Sequence, residues 1–249
     1  MKRAGEGRVA RNGNEAAPPA RVPWTLTGAV ALVLAVKFLP SLFAAPFLRA
    51  GAGSSALLAG LFFGTAATLI VVVLILLRWV RDSALEFAAV GFRPPSWRAA
   101  LRAWSVVVAG AAAYFSTAAA TVVVLRSMGI GWKWQQIVWV VRDARGPGQM
   151  ALAWGLAVVL APVLEETAFR GVLYLPLRAR LGVVPAALIV SFAFSAAHFY
   201  PYGAGMLFVL SLTFVALFER TGSLWLPIAA HGLYNGIVMV LVRHLPIAP

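Results

Sequence analysis

The chain has 249 residues, of which 61% are hydrophobic and only 12% charged, with mean hydropathy +0.86. A soluble domain is about 45–50% apolar and about 25% charged, so the composition excludes an ordinary soluble fold and makes lipid the expected solvent. Cysteine is absent, which excludes disulfides, Cys-ligated zinc and a Cys nucleophile. The net charge of +13 comes mostly from arginine and accompanies no nucleic-acid motif, so it is expected to set topology and meet anionic lipid head groups, not nucleic acid.

Residues 1–22 are polar, basic and rich in Pro and Gly, and are expected to form a disordered cytoplasmic tail. A signal peptide needs a short apolar stretch of about 7–15 residues and a cleavage site; the run that follows is longer and reads as a retained anchor. Seven runs approach the roughly 20 apolar residues that cross a bilayer. They lie at about 24–48, 55–80, 103–125, 149–177, 184–199, 203–218 and 224–242. The first contains Lys37, Pro40 and Pro46, and its prolines are expected to split it into a half-span. The expected fold is therefore all-α, a polytopic transmembrane helical bundle of about seven spans, with eight as the alternative count. Residues 23–148 would supply membrane helices and amphipathic connectors, and 149–249 the motif-bearing core of one integral membrane domain.

Two connectors carry signals of their own. Pro94 and Pro95 stop any helix, Ser96 can cap the next, and Trp97 and Trp104 suit the head-group level. Trp132, Trp134 and Trp139, with Lys133 and Arg142, predict a helix lying on the membrane surface. With the N-terminus inside, the inner segments hold the larger share of Lys and Arg, so a cytoplasmic N-terminus in the plasma (inner) membrane is expected.

Charged residues at membrane depth cost roughly 2.5–3.5 kcal/mol on insertion scales, yet the fourth run contains Glu165, Glu166 and Arg170. Residues four apart share a helix face, so Glu166 and Arg170 can neutralise each other. Glu165 has only Ala168 and Phe169 at the matching offsets and is expected to be the carboxylate without a partner. Arg178–Gly182 reads as a turn. Counted from it at about 1.5 Å per residue, Glu165 and His198 fall at similar heights on adjacent helices. His231 and Asn235, four apart on the last run, can hold a developing oxyanion or join helices.

Three motifs thus appear in order: E-E-x-x-x-R at Glu165, Glu166 and Arg170; F-x-x-x-H at Phe194 and His198; and H-x-x-x-N at His231 and Asn235. Together they resemble the CAAX protease and bacteriocin-processing (CPBP, ABI) family of intramembrane proteases, over about residues 160–240. The resemblance implies that Glu165 and His198 activate water, that His231 and Asn235 stabilise the oxyanion, and that Glu166, Arg170 and Phe194 support them. Its expected partners are membrane lipid and a peptide or protein substrate at the membrane. The cofactor stays open. Glu165, His198 and His231 would make a candidate zinc set, but no H-E-x-x-H is present and metal-independent water activation is preferred. Two other classes remain: a catalytically inactive membrane partner of bacteriocin-immunity type, and a proton-coupled transporter, against which no internal repeat is seen.

Overall fold

A computed structural model describes residues 22–51, 53–83 and 87–244. The expected tail at 1–22 lies, but for Val22, outside the described residues. Among those described there is helix and no strand. The elements are α1 (Leu26–Arg49), α2 (Ser54–Ser83), α3 (Trp97–Ser127), α4 (Gln136–Arg142), α5 (Gly146–Leu181), α6 (Val183–Ala196), α7 (Ala204–Thr221) and α8 (Trp225–His244). Single turns at Phe87–Val90 and Pro201–Gly203 join them. Six helices are long and apolar enough to cross a membrane, and α6 is a shorter seventh apolar segment. The molecule is a polytopic helical bundle.

Local rules account for most of the boundaries. Ser96 caps α3, its hydroxyl accepting from the Ala99 N–H at 3.2 Å, and Thr25 caps α1 in the same way. Gly182, at φ 81°, makes the turn between α5 and α6. One expectation fails: α1 runs unbroken through Pro40 and Pro46. In lipid a broken helix exposes several unbonded backbone groups, whereas each proline forfeits one N–H, so continuity is the lesser penalty. Gly64 of α2 meets this stretch closely. A Cβ there would lie 2.8 Å from the Pro40 carbonyl oxygen, so only glycine allows α1 and α2 their present separation.

Helix α5 is the axis of the molecule. Its residues Ala168, Phe169, Val172 and Tyr174 are fully buried. It contains two stretches wound as π-helix, Gly155–Leu160 and Thr167–Tyr174. Such winding recurs at functional sites, and here it frees backbone groups. The Ala161 N–H bonds to the Leu156 carbonyl, five residues back. The next donor along is Pro162, which has none, so the Ala157 carbonyl is left without a helical partner. The side chain of Asn235 supplies it. Likewise the α-helical donor for the Val172 carbonyl would be residue 176, a proline, and the Trp24 indole N–H takes its place at 2.9 Å.

Helix α6 has 14 residues, about 21 Å at 1.5 Å per residue, against roughly 30 Å of hydrocarbon. It is therefore shorter than the hydrocarbon layer, and His198 lies just beyond its C-terminal end.

Candidate active site

Glu165 and Glu166 are adjacent on α5, so their side chains diverge by about 100° and enter different surroundings. Glu166 is fully buried. Its Oε1 accepts from Arg170 Nη1 at 3.0 Å. Arg170 is also fully buried, and its other terminal nitrogen donates to the Ser211 carbonyl at 3.0 Å and hydroxyl at 2.6 Å. The guanidinium sits over the rings of Phe194 and Phe214, 4.8 and 5.3 Å from their centroids. Two hydrogen-bond partners on α7, one carboxylate and two aromatic faces compensate this charge, while Arg170 Nε and Glu166 Oε2 are buried with no partner among the described residues.

The expected Glu166–Arg170 pair is therefore present, but Glu166 has a second role. His231 Nδ1 lies 2.8 Å from the same Oε1. A carboxylate paired with Arg170 can only accept, so Nδ1 carries the proton and donates it. A neutral His231 uses its single N–H on Glu166. Glu166 thereby fixes the tautomer and orientation of the ring, as an aspartate does in hydrolytic triads. The ring stacks on Phe214, 5.0 Å between centroids.

The expectation that Glu165 is unpaired is corrected. Lys37 on α1 donates to Glu165 Oε1 at 2.7 Å. No local rule could have paired residues 128 positions apart. The signal was the lysine itself, a charge inside an apolar run. The other oxygen fits the expectation better: Glu165 Oε2 is buried and accepts no hydrogen bond among the described residues. It faces His198 Nε2 at 3.7 Å, as the equal heights of the two residues required. The His198 Nδ1–H donates to the Phe194 carbonyl at 2.7 Å. A carbonyl can only accept, so this bond fixes the tautomer and leaves Nε2 as the lone-pair nitrogen of the neutral ring. Phe194 packs edge-on against Phe169 and contacts the His198 ring at 4.6 Å. It thus holds His198 through both its carbonyl and its ring.

Asn235 donates one amide hydrogen to the Ala157 carbonyl at 2.8 Å and keeps the second. Gly232, between His231 and Asn235 on α8, lies against α5 so closely that a Cβ would stand 2.5 Å from the Val158 carbonyl oxygen. That approach brings His231 and Asn235 to Glu165. Glu165, His198, His231, Asn235 and Lys37 all line one cavity of about 460 Å³.

The connector expected to lie on the membrane surface has an additional place in the site. Its helical part is only the seven residues of α4. Just before it, Gln135 donates to the His198 carbonyl at 3.4 Å, and the Lys133 carbonyl accepts from the Tyr200 hydroxyl at 2.7 Å. Sequence reasoning missed Gln135, Tyr200 and Ser211, none of which stands out locally.

The zinc set is not assembled. Among the described residues no three His, Asp or Glu side chains form a group able to hold a metal ion. Glu165 Oε1 already meets an ammonium and His231 Nδ1 a carboxylate. A carboxylate on Nδ1 leaves that ring's Nε2 open, as in metal-bound histidines, so the misfit rests on the Lys37 bond to Glu165 and on the missing three-residue group among the described residues.

A family model described as type II CAAX prenyl endopeptidase Rce1-like matches residues 147–237. The motif-bearing core is Rce1-like. The Rce1-like stretch runs from the start of α5 into α8 and contains Glu165, Glu166, Arg170, Phe194, His198, His231 and Asn235. Lys37 and Gln135 lie outside it. The chain matches no curated protein and no solved structure significantly. Six apolar helices make this an integral membrane protein, and its motif-bearing core is similar to type II CAAX prenyl endopeptidases.

Proposed function

We propose that the chain is an intramembrane endopeptidase in which Glu165 and His198 activate the water that hydrolyses a peptide bond. One observation carries this reading. Glu165 Oε2 and His198 Nε2 are both acceptors and face each other at 3.7 Å across a cavity wall, too far for a direct hydrogen bond. Two facing acceptors call for a double donor, and water is one. Its proton passes to this pair as its oxygen bonds to the substrate's carbonyl carbon. The oxyanion that forms is met by His231 and by the second amide hydrogen of Asn235. As the tetrahedral intermediate collapses, the C–N bond breaks and the proton moves to the leaving amine. Glu166 orients His231, Arg170 balances Glu166, and no metal is required.

The substrate is a peptide or protein at the membrane, and the matching family's description points to CAAX-type prenyl proteins. The distribution of Lys and Arg favours a cytoplasmic N-terminus in the plasma membrane. The test is cleavage of a quenched fluorescent membrane peptide by the purified protein in proteoliposomes. Glu165→Ala and His198→Ala should each abolish turnover while the protein stays folded. Cleavage that survives both substitutions overturns the reading.

A further inference from the structure

Lysine is a poor choice for α1. The helix turns Val30, Leu34, Phe38 and Leu42 outward, and a charged side chain in such a span costs roughly 2.5–3.5 kcal/mol on insertion scales. A simple anchor would not need one. Lys37 nevertheless reaches across to α5, its side chain only 11% exposed, and its Nζ stands 2.7 Å from Glu165 Oε1 and 6.0 Å from the Phe194 ring centre. It is the one Lys or Arg among the residues lining the cavity. Helix α1 is placed for this reach by its close packing on Gly64 and by the Trp24 bond to the Val172 carbonyl.

The consequence concerns which oxygen of Glu165 reacts. A carboxylate on a flexible side chain can rotate and present either oxygen. With Oε1 bound by an ammonium, rotation breaks a charge-assisted bond at a largely buried site. Oε2 is then the oxygen left facing His198 Nε2. We propose that Lys37 is a positioning residue: by binding Glu165 Oε1 it fixes the carboxylate so that Oε2 and His198 converge on the same water. This rests on the hydrolytic reading above and adds a residue that lies outside the Rce1-like stretch. Lys37 does not touch the reacting atoms. Its contribution is geometric, and a displacement of about 1 Å at such a centre lowers rates by roughly a hundredfold.

The competing role is a tether that holds α1 to the core, and the test must separate the two. Full-length protein in proteoliposomes is compared with Lys37→Met, Lys37→Arg and Lys37→Cys on the fluorescent peptide, with thermal unfolding measured in parallel. Lys37→Met should lower kcat roughly 10- to 100-fold with KM changed less than about threefold. Lys37→Arg should recover most of the loss, because it keeps the charge and a donor. The natural chain has no cysteine, so 2-bromoethylamine modifies Lys37→Cys at one thiol and rebuilds an ammonium of nearly lysine length. Alkylation, verified by mass, should restore kcat. Wild-type kcat in Lys37→Met, a rise in KM alone, or a fully alkylated Lys37→Cys that stays inactive while folded overturns the proposal. If Lys37→Met is unaffected while Glu165→Ala is dead, positioning fails and hydrolysis stands. If the wild type cleaves nothing, both fall.

Discussion

Replacing Glu166 with glutamine tests the buried half of the site. The substitution keeps the shape and removes the charge. Arg170 would then remain fully buried, with its Ser211 bonds at 3.0 and 2.6 Å but without its carboxylate. Removing one member of a buried ion pair costs about 3–5 kcal/mol, a large share of a typical stability of about 5–15 kcal/mol. The folded fraction's advantage should fall by roughly two to three and a half powers of ten. Adding Arg170→Met removes the stranded charge, and the double variant should regain most of the lost stability, since apolar replacements of whole buried pairs are often neutral or better. Turnover should behave differently. His231 Nδ1 loses its anionic acceptor at 2.8 Å in both variants, and kcat should drop about 10²–10⁴-fold in each, by analogy with loss of the carboxylate behind a catalytic histidine. Thermal unfolding in detergent and kcat on the fluorescent peptide read the two effects separately. A double variant that regains both stability and turnover would show that Glu166 matters only as the partner of Arg170, and would refute its assignment to His231.

Gly232→Ala should lower both melting temperature and kcat, because its Cβ would meet the Val158 carbonyl oxygen at 2.5 Å; Gly236→Ala, whose nearest neighbour would stand at 3.4 Å, should leave both near wild type. Equal effects of the two substitutions would show that the close approach of α8 to α5 is not what places His231 and Asn235. Asn235→Ala should reduce kcat roughly 10²–10³-fold with KM little changed, and a change confined to KM would remove Asn235 from the oxyanion. Chelation with o-phenanthroline should leave turnover unchanged; loss of activity that added zinc restores would overturn the metal-independent scheme.

The sequence made legible what depends on local spacing. The apolar runs gave the helices, Ser96 and Gly182 gave their punctuation, and the four-residue interval gave Glu166 with Arg170. Counting from the turn also placed His198 opposite Glu165, which it faces at 3.7 Å, although eight of the intervening residues are π-wound and His198 lies beyond the end of α6. What stayed hidden was set by helix rotation and by contacts between distant parts of the chain. Lys37 meets Glu165 across 128 positions, and Ser211 meets Arg170 across 41. The π-wound stretches of α5 were equally hidden, since nothing local marks Ala157 and Val172 as the carbonyls that accept from Asn235 and Trp24.

These contacts explain how two neighbouring carboxylates come to do different things. Each has a permanent cation, Lys37 for Glu165 and Arg170 for Glu166. With both histidines neutral, the four charges sum to zero, which is what makes them tolerable at membrane depth. Each carboxylate also faces one histidine, and the distances separate the roles. At 2.8 Å Glu166 bonds His231 directly and orients its ring. At 3.7 Å Glu165 and His198 make no direct bond, and the gap suits the reacting water. The proton lost by the water stays on the Glu165–His198 pair until the C–N bond breaks, so attack separates charge within the site without changing its total, and donors already aimed at the oxyanion are what lower the barrier.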